Sequence, residues 1–173
     1  MYTQKIEKQF LAAYDQYADA LYRYCYFRIG NNKPIAEDLV QETFTNCWHY
    51  LTKGNSIKNI RAFLYQTARN AIIDRSRKKQ TSDSSLETLQ ELGFDPVDHN
   101  AESIETTVEC QRLMETMEQL DETDKDLLVL RFIEGYGPKD IAEMLHETQN
   151  TISVRINRAK KRLSQLYVPK SSS

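Results

Sequence analysis

Residues 138–166, PKDIAEMLHETQNTISVRINRAKKRLSQL, decide the fold of this chain, because they predict two helices joined by a short turn. Gly137 and Pro138 mark the start of the first helix, since proline is well tolerated at the first helical position. Thr148 is a candidate N-cap for the second helix. The second helix repeats apolar residues at the helical period, in one stripe that must be buried: Ile152, Ile156, Ala159, Leu163 and Leu166. The stretch therefore predicts a helix-turn-helix.

The face opposite this stripe is basic and rich in amide side chains. Between Thr151 and Lys170 the sequence has six Lys or Arg residues and no Asp or Glu. Because Asn, Gln and Arg side chains read base edges in the major groove, this face is a candidate DNA-reading surface. The residues on this face and its flanks are Asn150, Ser153, Val154, Arg155, Asn157, Arg158, Lys161 and Arg162. A solvated basic face in an unrelated helical bundle explains the same pattern, so this stretch alone leaves both interpretations open.

The composition indicates an all-α protein that forms one sizeable domain or two small ones. The 173 residues include four Pro and five Gly, and helical periodicity dominates over the alternation typical of strands. The apolar runs are shorter than the roughly 18 residues of a membrane span. The N-terminal sequence MYTQKIEKQF lacks the apolar core of a signal peptide. We therefore expect a soluble, cytoplasmic protein.

The charges of the chain are segregated along the sequence. Residues 1–80 hold 13 basic and 7 acidic side chains, whereas residues 81–111 hold 8 acidic side chains and no basic ones. Residues 112–173 hold 10 of each sign, and their positive charge is concentrated near the C-terminus. The net charge of -2 therefore does not exclude a nucleic-acid partner.

The sequence offers little support for an enzyme or a metal protein. Its three cysteines are odd in number and far apart, which disfavours a disulfide framework. Cys47 and His49 are two residues apart and do not share a helix face, so we expect no metal site. A Gly-rich phosphate loop and a nucleophile-base pair are both missing, and Asp38 with Glu42 would be a poor acid-base couple on an exposed helix. We expect no catalytic residues and no cofactor.

Periodicity divides the chain into two helical units. Residues 1–80 predict three helices, over residues 4–29, 34–51 and 59–79, and residues 81–105 predict an acidic linker without periodicity. Residues 106–168 form the second unit, and residues 169–173 a frayed tail. The first helix of this unit begins near Ile104. We expect its inner face to carry Val108, Leu113, Met117 and Leu120, and the next helix to carry Leu127, Leu128, Leu130 and Phe132.

Three stretches, in their order and spacing, carry a resemblance to a known family. They are AEDLVQETF at 36–44, RAFLYQTARNAIIDRSR at 61–77, and LDETDKDLLVLRFIEGYGPKDIAEMLHETQNTISVRINRAKKRL at 120–163. The chain resembles the bacterial sigma factors of RNA polymerase, specifically the small extracytoplasmic-function (ECF) group that has only regions 2 and 4. Residues 1–80 would then be region 2 and residues 106–168 region 4.

The resemblance implies partners and site residues. The exposed patch Asp38, Gln41 and Glu42 would dock on the clamp helices of the largest subunit of core RNA polymerase, and early helices of region 4 on the flap of the second-largest subunit. Promoter DNA would be the second partner, and an anti-sigma factor the third. The acidic linker would thread towards the active centre of the polymerase.

The resemblance also implies two DNA-binding sites. One would melt the minus-ten element, capture a flipped non-template base and hold the strand through phosphate contacts, using Gly54, Asn55, Ser56, Lys58, Arg61, Arg69, Asn70, Arg75 and Arg77. The other would read the minus-thirty-five element with Gln149, Asn150, Ser153, Val154, Asn157 and Arg158, and contact phosphates with Arg155, Lys160, Lys161 and Arg162.

The turn of the helix-turn-helix departs from the family pattern. His146 stands where the family usually has Gly, so it must adopt or avoid a left-handed conformation at some cost. Glu147 stands at a usually apolar position, and Phe63 replaces a frequent Trp. A stand-alone helix-turn-helix regulator that acts without polymerase is the alternative, although it assigns no role to the patch around Gln41 or to Asn70.

Overall fold

The computed structural model describes residues 2–81 and 107–167, whose regular structure is entirely helical. The elements of these two ranges are α1 (Tyr2–Arg28), α2 (Lys33–Thr52), α3 (Ile60–Thr81), α4 (Val108–Met117), α5 (Glu122–Leu128), a π-helical turn (Val129–Ile133), α6 (Pro138–Leu145) and α7 (Gln149–Leu166). The prediction of an all-α fold ending in a helix-turn-helix is confirmed. The predicted acidic linker, apart from Thr81, and the predicted tail lie outside the described residues.

Helices α1, α2 and α3 pack around an aromatic core. The Phe10 ring meets the Phe44 ring edge-on at 5.9 Å and the Trp48 ring at 5.1 Å. Such pairs stabilise a core by about 0.5–1.5 kcal/mol beyond the area they bury. The fully buried side chains of this unit include Leu21, Leu39, Leu51 and Leu64.

Short polar residues set the helix boundaries in this first unit. Gly30 and Asn31 both have φ near +70°, which reverses the chain after α1. Asn32 then caps α2 by accepting a hydrogen bond from the Ile35 backbone N–H at 3.1 Å. In the same way the Asn59 side chain accepts from the Ala62 N–H at 3.0 Å and fixes the start of α3.

In the second unit, the inner face of α4 differs from the predicted one. Met117 and Leu120 are buried as predicted, but Val108 and Leu113 are 65% and 38% exposed, and Met114 is buried in their place. At about 100° per residue Val108 and Leu113 point roughly 140° apart, so they cannot share one face of a helix. Ile104 lies outside the described residues.

The π-helical turn explains a second difference. The Glu134 N–H donates to the Val129 carbonyl, five residues earlier, at 3.0 Å, and Gly135 ends the turn with φ +76°. This wider turn interrupts the 3.6-residue period that the sequence was assumed to follow. Phe132, predicted to be buried, is therefore 55% exposed.

His146 adopts the left-handed conformation at the end of α6, with φ 54° and ψ 44°. The Glu147 N–H donates to the Ala142 carbonyl at 3.0 Å, which is the six-to-one hydrogen bond of a Schellman C-cap. Thr148 accepts from the Thr151 N–H at 3.2 Å and caps α7 as predicted. The turn thus keeps helix-turn-helix geometry with a residue other than Gly, at a cost of about 1–2 kcal/mol.

The two units pack against each other. Helices α1 and α3 contact the π-helical turn and α6, largely through charged and tyrosine side chains. The stripe of α7 is turned towards α5 and α6, so its basic face is left outside this contact. Among the described helices, none has the length and apolar character needed to cross a bilayer.

Strain at His146 can be measured directly. We expect H146G to unfold with a free energy about 1 kcal/mol higher than H146A, because both remove the imidazole and Gly alone relieves the positive φ. Denaturant unfolding followed by circular dichroism measures this difference. Equal stability of the two variants would contradict the assigned strain.

Candidate nucleic-acid interfaces

Helix α7 presents a continuous basic face because its apolar stripe is held by the helices beneath it. Ile152 and Ala159 are fully buried and Ile156 is nearly so. Leu163 is partly buried, whereas Leu166, predicted to be buried, is 41% exposed. Leu166 is the last residue of α7 and lines an open cleft between α7 and the α4–α5 connection, so the core ends before the helix does.

The predicted reader residues of α7 lie at its surface. Val154 is 42% exposed, and Ser153 is half-buried with its hydroxyl donating to the Gln149 carbonyl at 3.0 Å. The remaining residues of this set are all exposed: Gln149, Asn150, Asn157 and Arg158. The face therefore offers amide and guanidinium donors together with one apolar side chain, a combination that suits base edges and a thymine methyl group.

The arginines at the flanks of this face are held by acids of the same unit. The Arg155 guanidinium lies 3.2 Å from the carboxylate of Glu147, the residue that stands where the family usually has an apolar one. Glu147 therefore forms an ion pair at this position. Arg162 lies 2.5 Å from Asp124, and the hydrogen bond between them raises the pKa of Arg162. Both pairs are solvent-exposed on the arginine side, so each contributes little to stability and mainly orients its guanidinium.

The centre of the α7 face is free of such pairs. Arg158, Lys160 and Lys161 are exposed and form no ion pair within the described part of the chain. A phosphate backbone could therefore reach them without displacing a carboxylate.

The residues predicted to bind the minus-ten strand are divided between surfaces. Gly54, Asn55, Ser56 and Lys58 are exposed in the loop between α2 and α3, where Gly54 has φ +87° and the Asn55 amide donates to the Tyr50 carbonyl at 3.1 Å. On α3, Asn70, Arg75 and Arg77 are exposed.

Arg61 and Arg69 differ from the other members of this group because they are already paired. Arg61 Nη2 lies 2.7 Å from Asp140 Oδ1, and Arg69 Nε lies 2.5 Å from Asp126 Oδ2. Helical geometry places Asn70 about 180° around α3 from Arg61. The structure therefore does not bring the nine predicted residues onto one surface.

Asp126 is the centre of a polar cluster that the sequence did not reveal. Its carboxylate is fully buried and accepts hydrogen bonds from Tyr24 Oη at 2.7 Å, Arg28 Nε at 2.5 Å and Arg69 Nε at 2.5 Å. Arg28 Nη2 also donates to Glu122 at 2.7 Å. The one available signal was Arg28 itself, a charged residue in register with the apolar face of α1.

Burial and charge shift the pKa values of this cluster in opposite ways. Burial, reinforced by the Asp126 charge, raises the pKa of Tyr24 well above its usual range, so its hydroxyl stays a donor. Burial disfavours charge on Glu122, but the Arg28 hydrogen bond and charge outweigh it and lower the pKa of Glu122. Glu122 therefore keeps its negative charge beside Arg28 at neutral pH.

The predicted polymerase patch lies on α2, away from its buried side. Asp38, Gln41 and Glu42 are exposed, while Leu39 and Val40 between them are buried. The patch is therefore open to a macromolecular partner. No group of three or more His, Cys, Asp or Glu residues in the described ranges is arranged to hold a metal ion.

Comparisons with known proteins match both units. Residues 13–82 match the family "Sigma-70 region 2", and residues 110–163 match "Sigma-70, region 4". The ECF RNA polymerase sigma factor BldN of Streptomyces coelicolor is 30% identical over 159 residues, which cover 88% of this chain and 58% of BldN. The chain thus spans less than two thirds of that relative.

The ECF RNA polymerase sigma factor SigM of Bacillus subtilis is 27% identical over 158 residues, covering 89% of this chain and 92% of SigM. The fold is similar to that of the sigma factor RpoE of Bartonella quintana, solved in complex with the anti-sigma factor NepR. That similarity has a TM-score of 0.65 at 22% identity and covers 92% of this chain and 96% of RpoE. With both sigma-70 regions matched in order and ECF relatives along most of its length, the chain belongs to the ECF sigma factors and carries regions 2 and 4.

Proposed function

We propose that this protein binds core RNA polymerase and directs it to specific promoters. The observation that carries the proposal is the basic face of α7, which stays exposed on a helix whose apolar stripe is buried, within a matched region 4. Residues 1–80 act as region 2, residues 81–105 as the connecting linker and residues 106–168 as region 4. Run-off transcription with core polymerase on a promoter library tests the proposal.

In this proposal α7 reads the minus-thirty-five element in the major groove. Gln149, Asn150, Ser153, Val154, Asn157 and Arg158 contact base edges, and Arg155, Lys160, Lys161 and Arg162 contact phosphates. The amide of Asn157 suits the paired donor and acceptor of adenine, and the Val154 side chain suits a thymine methyl group. The exposure of Asn157 and Val154 supports these roles.

Region 2 melts and captures the minus-ten strand. The exposed loop residues Gly54, Asn55, Ser56 and Lys58, together with Asn70, take the flipped base, and Arg75 and Arg77 of α3 hold the strand through its phosphates. Unstacking a base costs a few kcal/mol, so a pocket that recovers this energy for one type of base both melts the duplex and selects that base. The exposure of Asn70, Arg75 and Arg77 supports this arrangement.

Two protein partners follow from the proposal. Asp38, Gln41 and Glu42 dock on the clamp helices of the largest polymerase subunit, and region 4 docks on the flap of the second-largest. An anti-sigma factor holds the protein inactive, by analogy with RpoE of Bartonella quintana, which was solved with one. The protein then acts in the cytoplasm, as a non-enzymatic subunit of the polymerase, and the match to region 2 disfavours a regulator that works without polymerase.

Base reading and phosphate contact predict different mutant behaviour. We expect N157A to change promoter preference at one position of the upstream element by about 1–3 kcal/mol, because it removes a base contact. We expect K161A to weaken transcription evenly across sequences, because a phosphate contact carries no sequence information. Run-off transcription on a library randomised in the upstream element measures both.

The salt dependence of holoenzyme binding provides the control for this pair. K161A should lower the slope of log affinity against log salt by about 0.9, the value for one duplex phosphate contact, and N157A should leave the slope unchanged. Equal losses on all promoters for both variants would contradict the assigned roles.

The polymerase patch predicts a separable loss. We expect the double variant Q41A/E42A to lose binding to core polymerase while keeping its helical signal and unfolding midpoint, because both side chains are exposed. Co-purification with core polymerase measures binding. The matched control is E7A/Q9A, which removes one carboxylate and one amide from the exposed side of α1. Equal binding of both variants would refute the assigned patch.

A further inference from the structure

Glu147 brings a negative charge to the end of α7 that the proposed function directs at DNA. The recognition helix of a helix-turn-helix places its N-terminal residues against the base edges of the major groove. Glu147 immediately precedes Thr148, the N-cap of α7. Helix α7 itself contains no Asp or Glu. Glu147 therefore introduces an acidic group at the border of a basic face.

The turn between α6 and α7 fixes the backbone of Glu147. Its N–H donates to the Ala142 carbonyl at 3.0 Å, and the left-handed His146 before it directs the chain from one helix to the next. On the other side, Thr148 accepts from the Thr151 N–H at 3.2 Å, and the hydroxyl oxygens of the two threonines are 2.8 Å apart. Because both of its neighbours are held, Glu147 stays at the N-terminus of α7 when a duplex approaches.

The carboxylate of Glu147 is bound to Arg155. Arg155 Nη1 donates to Glu147 Oε1 at 3.2 Å, although the two residues are eight positions apart. A helix rises about 1.5 Å per residue, so the Arg155 side chain must extend back along α7 to reach the turn. The two side chains are 43% and 35% exposed, so the pair adds little to stability, but it determines where the guanidinium points.

This ion pair weakens the attraction between α7 and a phosphate backbone. Carboxylate and phosphate oxygens accept hydrogen bonds from the same donors of a guanidinium. A phosphate that approaches Arg155 must therefore displace the Glu147 carboxylate or lie beside it, and the two anions repel each other. The Glu147 carboxylate also lies next to the N-terminus of α7, where the helix dipole would otherwise attract a phosphate.

The cations in the middle of the α7 face are in a different position. Arg158, Lys160 and Lys161 are exposed and form no ion pair within residues 2–81 and 107–167. At the far end of the face Arg162 is 2.5 Å from Asp124, as Arg155 is paired at the near end. The positive charge of the face is therefore compensated at its two ends and uncompensated between them.

We infer that Glu147 limits the sequence-independent affinity of region 4 for duplex DNA by withholding Arg155 from the phosphate backbone. The inference rests on the proposed function for placing α7 on a duplex, and adds that the phosphate contact of Arg155 is made against a competing carboxylate. A phosphate contact strengthens binding to every sequence alike. In the holoenzyme, contacts made by region 2 and polymerase add to those of α7, whereas the free protein lacks them and stays largely off non-promoter DNA.

The test is the variant E147Q of the full chain, which removes the charge and keeps the shape of the side chain. Fluorescence anisotropy with a 20-base-pair duplex of mixed sequence, without polymerase, measures affinity as a function of salt. We expect the slope of log affinity against log salt to steepen by about 0.9, the value for one added phosphate contact, and the affinity at 0.1 M salt to rise about eightfold. The double variant E147Q/R155A should return both quantities to near their wild-type values.

Two matched controls separate this pair from net charge. E109Q removes an equal charge from an exposed position of α4 and should keep the wild-type slope. E147Q/K8A removes a cation from an exposed position of α1 and should keep the slope of E147Q. An equal gain in E109Q and E147Q would overturn the inference, because net charge would then explain it. An E147Q/R155A variant that binds as tightly as E147Q would overturn it as well, because Arg155 would not be the withheld group.

The variant K161A on the same duplex distinguishes failure of the inference from failure of the proposed function. If α7 lies on duplex DNA, K161A should lower the salt slope by about 0.9. An effect of K161A without one of E147Q would overturn the inference and leave the proposed role of α7 intact. Unchanged slopes in both variants would overturn the inference together with that role.

Discussion

The arrangement of this protein depends on one buried carboxylate. Asp126 lies between Arg28 of α1 and Arg69 of α3, and its three hydrogen bonds link the two units that the long middle segment separates in sequence. A buried carboxylate without such partners would cost several kcal/mol, so the second unit needs Arg28 and Arg69 of the first unit to keep this charge buried. Buried ion pairs such as these orient the two units more than they stabilise the contact, because the charged groups lose hydration when they are buried. The contact therefore defines how the units face each other.

The distribution of charge explains how a protein with the proposed DNA-binding function can have a net charge of -2. Its charges are unevenly distributed over the surface. Asp126 of α5 and Asp140 of α6 are paired with arginines of the first unit, whereas the centre of the α7 face has no acidic partner among the described residues. Electrostatic attraction to DNA depends on local potential within about 10 Å at ordinary salt, which is set by this distribution and not by the total. The α7 face can therefore attract a duplex although the chain as a whole is weakly acidic.

Helical periodicity in the sequence predicted those features that depend on residues close together in the chain. The helix-turn-helix, the cap at Thr148 and the buried part of the α7 stripe followed from spacing and from short polar residues. The predicted burial of Phe132 was wrong because a π-helical turn shifts the helical register. The predicted burial of Val108 and Leu113 was wrong because these two residues do not lie on the same face of α4 as Met117. The predicted burial of Leu166 was wrong because α7 continues beyond the end of the core.

At the candidate sites, too, the sequence predicted local features and not long-range contacts. Exposure of Asp38, Asn70 and Asn157 could be predicted, because it depends on which face of one helix is apolar. The pairing of Arg61 with Asp140 could not, because the two residues are 79 positions apart and their meeting depends on how whole units pack. A basic side chain on a helix surface has the same local pattern whether it is free or already bound to a carboxylate. Sequence therefore identifies the cations that can bind a nucleic acid, and the tertiary contacts decide which of them are available to do so.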